Sequence, residues 1–330
     1  MRAVNVNTIC SRYKASCKFS VNAREYFLNL LPSDVAIVDS SAHADLVIVF
    51  DSHDGDTIEE LDRRELFHPK TVMYSQAPDP VVVIPGLYVN LNHRRLSSRA
   101  RTCGYISYLA ETGGNPLCRG VEERAKEFLF CFAGRNCYPV RERIFRKYRN
   151  SPDYFVRDTS EAYDHWGDDR NLSAQESYVE TIRRSHFSVC PRGIGTNSIR
   201  LFESMRLGVA PIVISDTWPY PDGPSWDNFC LRIAESEIDH LDQILQQHKH
   251  RSGEMGRLAR QAYEDHFSVK RMPESILRQL SGMVRPTMTE NVCRSTGLVR
   301  HYSRKTYWRG YRFALSLRDC MRGLLRQSTP

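Results

Sequence analysis

Residues 185–216 read Ser-His-Phe-Ser-Val-Cys-Pro-Arg-Gly-Ile-Gly-Thr-Asn-Ser-Ile-Arg-Leu-Phe-Glu-Ser-Met-Arg-Leu-Gly-Val-Ala-Pro-Ile-Val-Ile-Ser-Asp. His186–Cys190 is a short apolar run of strand type, residues 191–197 form a glycine-bearing turn, and Ser198–Leu207 is a helix closed by Gly208. Ala210–Ser215 is the next strand. Strand, turn, helix and strand in that order specify a parallel α/β unit.

The same alternation extends in both directions. Upstream, Glu127–Ala133 is a strand ending at Gly134, followed by a basic helix from Pro139 to Tyr148. Ser173-Ala-Gln-Glu176 has the form of a capping box and predicts a helix running to about Ser185. In the first half, Val35–Asp39, Ala44–Phe50, Thr71–Tyr74 and Val81–Ile84 are β-branched apolar runs of the kind buried parallel strands require. A helix over Ala23–Leu31 stops at Pro32. Residues 111–120 are rich in chain breakers and mark a linker. The expected organisation is a first Rossmann-like domain over 1–120, a second over 121–285, and a helical tail over 286–330.

Charge is distributed unevenly. Residues 294–330 hold nine Lys/Arg against Asp319 alone, so of the total charge of +7 the first 293 residues carry a net −1. With the charge confined to the tail, the basic pI says nothing about nucleic-acid binding by the folded body, and no nucleic-acid partner is expected. The tail, with Tyr302, Tyr307, Trp308, Tyr311 and Phe313 among its arginines, fits two readings. One is a basic helix on an anionic membrane surface; the other is a helix that crosses back onto the first domain. The ten cysteines form no C-x-x-C pair. The first residues lack an apolar signal region, and no run approaches a bilayer span, so the expected location is cytoplasmic, with possible attachment to the inner membrane face.

The chemistry is read from the same central run. Gly193 and Gly195 allow close backbone approach, and Thr196, Asn197 or Ser198 can cap the helix, whose N-terminal end then favours an anion such as a diphosphate. Arg200 in the first turn can pair with phosphate oxygens, and Glu203 three residues on can accept ribose hydroxyls. Asp216 ends the following strand at the carboxyl edge, where doubly wound sheets keep their ligands.

Taken together, Cys190-Pro-Arg-Gly193, Ser198-Ile-Arg200, Glu203, Gly208 and Pro211–Asp216, followed by Pro219, Pro221 and Trp226, resemble the exostosin family, glycosyltransferase family 47. Phe130–Arg135 followed by Arg141 is similar to that family's F-x-G-x-x-R element, and Ala44–Phe50 resembles its A-D-led strand. The resemblance is good over about 125–235 and fades outside it. It implies a GT-B fold: two Rossmann-like domains facing across a cleft, with the donor held by the second. It further implies an inverting, metal-independent transfer from a UDP-sugar to a glycan or lipid-linked saccharide. Arg135, Arg141, Arg192, Gly193, Asn197, Ser198, Arg200, Glu203 and Asp216 are the expected donor-binding residues.

Inversion needs a base for the acceptor hydroxyl. Asp51, His53 and Asp54, beyond a first-domain strand, are the candidates. Asp54 and Asp56 also form a D-x-D pair, yet the surrounding motifs belong to the metal-free fold, so that loop is read as solvated and no cofactor or metal is expected. Asp164–Asp169 and Tyr74–Pro78 could each line the cleft or be ordinary surface turns. Two other functions fit parts of the chain. Lys126, Phe128 and Arg141 share the plan of a GDP-sugar, fucosyltransferase-like enzyme, and the basic tail could serve a non-catalytic nucleotide- or nucleic-acid-binding protein.

Overall fold

The computed structural model describes residues 4–10, 18–51, 57, 58, 61, 63–106, 115, 117–161, 172–268, 270–284 and 293–303. Two wholly parallel sheets organise them. The first is built from β1 (Val4–Cys10), β2 (Val35–Ile37), β3 (Leu46–Asp51), β4 (Thr71–Ser75), β5 (Gly86–Tyr88) and β6 (Ala100–Arg101), in the spatial order β2-β1-β3-β4-β5-β6. The second holds β7 (Phe128–Gly134), β8 (Tyr154–Asp158), β9 (Ser185–Pro191), β10 (Ala210–Ile214) and β11 (Leu231–Ile233), in the order β8-β7-β9-β10-β11. Both therefore follow the same doubly wound plan, reversing direction between the first and third strand. Such a switch point opens a crevice at the carboxyl ends of the two strands beside it.

The helices follow from the sequence signals. α1 (Lys18–Asn29) crosses from β1 to β2, and α2 (Pro139–Tyr148) starts on Pro139, whose missing N–H is harmless in a first turn. α3 (Leu172–Arg183) begins one residue before Ser173, so that serine lies inside the first turn and the predicted capping box does not form. α4 (Arg200–Leu207) ends on Gly208, which adopts the left-handed conformation at φ 72°. α5 (Leu241–His248), α6 (Ser252–Ala262) and α7 (Met272–Ser281) follow, and residues 293–303 form α8.

Two strand readings need correction. Val4–Cys10 is a strand that the sequence reading passed over: its Val-Asn-Val-Asn alternation is unlike the continuous apolar run of a central parallel strand. Buried Asn7 is accommodated because its side-chain amide donates to the Val38 carbonyl. Conversely, Val81–Ile84 is coil, half-buried at Val81 and Val82 and buried at Val83 and Ile84, although apolar enough for a strand. Side chains replace its ladder: the Val83 and Ile84 carbonyls accept from Arg99 and from the Tyr88 hydroxyl. Pairing with β4 starts only at Gly86.

The 111–120 linker lies largely outside the described residues. The two sheets meet through segments that follow their carboxyl edges. After β5, Val89 O accepts from Trp218 Nε1 at 2.9 Å, Leu91 O accepts from Thr196 Oγ1 at 3.2 Å, and His93 N donates to Thr217 O at 2.8 Å. A single apolar cluster runs through the junction, joining Phe50, Tyr74 and Ile106 of the first unit to Phe202, Met205, Trp218 and Phe267 of the second. The facing domains are thus joined by a shared core along this part of their interface. Trp218→Phe removes one of two donors to Val89 O, which Thr102 Oγ1 also reaches at 3.4 Å, and should cost about 0.5–1.5 kcal/mol, the net worth of a typical hydrogen bond. A lowered urea midpoint with an unchanged slope would register it.

Candidate active site

The second sheet's switch point falls between β7 and β9, whose carboxyl ends lead into Arg135 and Arg192. Four of the expected donor residues converge there. Arg141, on α2, is buried and spends its guanidinium on main-chain carbonyls: Nε donates to Arg192 O at 2.9 Å, Nη1 to Arg135 O at 3.0 Å and Nη2 to Pro191 O at 3.2 Å. It ties the two strand ends together and retains two of its five N–H groups. Burial, reinforced by neighbouring Arg200, pushes its pKa down to about 10, so it stays cationic at neutral pH.

Arg200 is also buried and turns inward beneath β7. Its Nη2 donates to Ala133 O, its Nη1 reaches Ser198 Oγ at 3.4 Å, and its guanidinium carbon lies 4.9 Å from the Phe132 ring centroid. Arg141 approaches the same ring at 5.7 Å. A Cβ at Gly134 would stand 2.7 Å from Arg200 Nη2, so any side chain there would displace the guanidinium. No carboxylate among the described residues lies within ion-pair distance of Arg141 or Arg200. Two neighbouring buried cations with no carboxylate in direct contact are costly on their own, although the Glu203 charge acts on Arg200 from a distance. An anion would relieve that cost.

The other donor residues are placed as follows. Arg192, mostly buried, stacks 4.2 Å over the Tyr138 ring, contacts Thr217 Oγ1 and lies 4.0 Å from Glu235. Arg135 is exposed at the end of β7. Asn197 and Ser198 are buried, with the Ser198 N–H donating to Asn197 Oδ1. Asn197 Nδ2, Arg192 Nε and Arg200 Nε are buried without a hydrogen-bond partner among the described residues. Cys190 is packed between Ser188 and Ser204, and burial pushes its thiol up to about 12, so it remains protonated.

Two expectations change in detail. The first-turn N–H groups of Leu201, Phe202 and Glu203 donate to the Ser198 and Ile199 carbonyls, so the anion-binding character rests on arginine and amide side chains more than on open helix N–H groups. Glu203 accepts a 2.5 Å hydrogen bond from Tyr178 Oη, whose own ionisation burial and that carboxylate suppress. Asp216 is exposed, and it exchanges hydrogen bonds with Glu235: its Oδ1 accepts from Glu235 N while its N–H donates to Glu235 Oε1. One Asp216 oxygen is therefore committed to holding the turn after β11.

On the opposite side, Asp51 ends β3 beside the first sheet's own switch point, buried, with Oδ2 accepting from Ser75 Oγ at 3.1 Å. His53, Asp54 and Asp56 lie outside the described residues, as does Asp164–Asp169. Tyr74–Ala77 is neither a solvated turn nor an open cleft wall: it is buried against the domain junction. Among the described residues no group of three His, Cys, Asp or Glu is placed to hold a metal. No described helix is long and apolar enough to cross a membrane.

Two parallel α/β units facing by their carboxyl edges, with buried arginines at the switch point of the second, define the GT-B class. Residues 102–248 match the exostosin GT47 domain. It is 29% identical to the Exostosin-1 homolog of Caenorhabditis elegans over 130 residues, covering 38% of this chain and 31% of that one. It is 36% identical over 87 residues to the probable glucuronoxylan glucuronosyltransferase IRX7 of Arabidopsis thaliana, covering 24% and 19% of the two chains. The chain spans less than a third of the length of these relatives. The Acinetobacter baumannii MurG structure aligns with a TM-score of 0.40 at 11% identity, covering 83% of this chain and 99% of that one.

Proposed function

We propose that the chain is an inverting, metal-independent glycosyltransferase that moves a sugar from a UDP-sugar to a glycan or lipid-linked saccharide in polysaccharide biosynthesis. The observation that carries this reading is the pair of buried guanidiniums, Arg141 and Arg200, beside the switch point, with no described carboxylate within ion-pair distance of either. A nucleoside diphosphate is the ligand that such a site suits, because its charge offsets both and its oxygens accept the orphaned N–H groups of Asn197 and Arg192. The relatives named for glucuronosyl transfer support a nucleotide-sugar donor and a saccharide acceptor. In the reaction, these donors would stabilise the departing diphosphate. Asp51 is the described residue of the candidate base set, at the carboxyl end of β3.

Turnover of a panel of UDP- and GDP-sugars, read as released nucleoside diphosphate, tests the reading; release from no UDP-sugar would refute it. Arg200→Ala should weaken UDP binding by about 1.5–3 kcal/mol, the range for hydrogen bonds to charged groups. Calorimetric titration at a temperature where the variant is folded measures this. Glu203→Gln should lower donor affinity while leaving stability within about 1 kcal/mol. Normal UDP binding with a large stability loss would instead assign Glu203 to its contact with Tyr178. Activity should survive EDTA, and loss on chelation with recovery on adding manganese would contradict the metal-independent step.

A further inference from the structure

The turn that carries Gly193–Ser198 is shaped by a residue of the other domain. Asn90 follows β5, is buried, and uses its whole amide. Nδ2 donates to Gln76 O and to Ala77 O, both at 3.2 Å, and Oδ1 accepts from Tyr105 Oη at 3.0 Å and from Asn197 N at 3.3 Å. Both amide hydrogens and both oxygen lone pairs are thereby met, which fixes the side chain in one orientation. The turn is built to receive it: a Cβ on Gly195 would lie 2.3 Å from Asn90 Oδ1 and 2.6 Å from its Cγ. Glycine at 195 therefore admits a first-domain side chain, as distinct from a ligand.

The contact continues towards the other half of the site. Gln76 and Ala77, which hold the Asn90 amide, directly follow β4. The Ala77 N–H donates to Ser75 Oγ, and Ser75 donates to Asp51 Oδ2. One hydrogen-bonded path thus joins the carboxylate at the end of β3 to the main chain of Asn197. Its last link is the only one that crosses between the domains.

We infer that Asn90 is a positioning residue for donor binding: it fixes the Gly193–Ser198 turn so that Asn197, Ser198 and Arg200 present their donors to the nucleotide diphosphate. The inference rests on the proposed nucleotide-sugar reading. Asn90 makes no claim on substrate itself and acts through the turn.

A double-mutant cycle in nucleotide affinity tests it, using the full chain and UDP, or GDP if the wild type prefers it. Asn90→Ala should raise Kd at least tenfold, and Gly195→Ala should do the same because the new methyl collides with the amide. The double variant should bind no worse than Asn90→Ala alone, since the collision has gone. Trp218→Phe removes a hydrogen bond to the adjacent Val89, and the Trp218 side chain makes no hydrogen bond to the turn among the described residues. It should therefore lower the unfolding midpoint while leaving Kd unchanged. Should Asn90→Ala not fold, Tyr105→Phe keeps the amide with one anchor fewer and should raise Kd at least threefold. Unchanged Kd in folded Asn90→Ala or Tyr105→Phe, additive effects in the cycle, or an equal loss in Trp218→Phe would overturn the inference and leave the nucleotide reading standing. A wild type that binds neither UDP nor GDP would overturn both.

Discussion

Arg294→Met is expected to cost the fold at least about 3 kcal/mol, although the sequence counts this arginine among the charges of a basic tail. Arg294 is 1% exposed, and its guanidinium donates to Leu66 O at 2.5 Å, His68 O at 3.0 Å and Thr71 O at 3.1 Å. Methionine fills much of the space but leaves Leu66 O and Thr71 O without this donor, each costing about 1–3 kcal/mol when buried, and removes a charge-assisted hydrogen bond worth about 1.5–3 kcal/mol from His68 O, which keeps the Thr71 N–H. Leu298, on the same helix, packs with the cluster beneath Val83 and Ile84. The described start of the tail is therefore a crossing helix that closes the first domain. Truncation after Val292 should unfold that domain, visible as lost near-ultraviolet dichroism. If truncation left the unfolding midpoint where it was, α8 would be a passenger. The membrane reading now concerns residues 304–330, which lie outside the described residues.

Arg141→Ala is expected to weaken UDP binding by more than about 3 kcal/mol, the largest effect of any donor-side substitution. Two losses combine. The charge beside the switch point disappears, which for one ionic hydrogen bond is worth about 1.5–3 kcal/mol. In addition, the carbonyls of Arg135, Pro191 and Arg192 lose the donor that holds β7 and β9 in register at their carboxyl ends. Arg141→Lys should recover little, because a single ammonium cannot span three carbonyls in the geometry of a planar guanidinium. Arg135→Ala, at an exposed position, should have a much smaller effect on the same titration. Equal affinities for Arg141→Lys and the wild type would show that charge alone matters and that the strand ends hold themselves together.

The second domain was legible in the residue order. Its strands β7, β9 and β10 are continuous apolar runs because both faces of a parallel sheet are covered, and α2 and α4 are delimited by Pro139 and Gly208. The run from Cys190 to Asp216 falls at the second sheet's switch point for the same reason: short-range order dictates the turn and the helix that follows it. What failed to show was any pattern broken by a specific long-range partner. β1 alternates with asparagine because Val38 accepts from Asn7, and Val81–Ile84 is coil because Arg99 and Tyr88 supply donors in place of a strand.

By itself, then, the sequence determined two parallel α/β units, the second sheet's crevice, and the residue types beside it, since periodicity, glycine and proline act over a few residues. Only the tertiary structure decided what those side chains face. Arg200 looks like a first-turn surface arginine until Gly134 makes room for it under β7, and Arg294 looks like tail charge until three carbonyls of the first domain surround it. Asn90 carries no local signal at all. Its role comes from a contact 107 positions along the chain, and the cost of leaving buried polar groups unpaired is set by such distant partners.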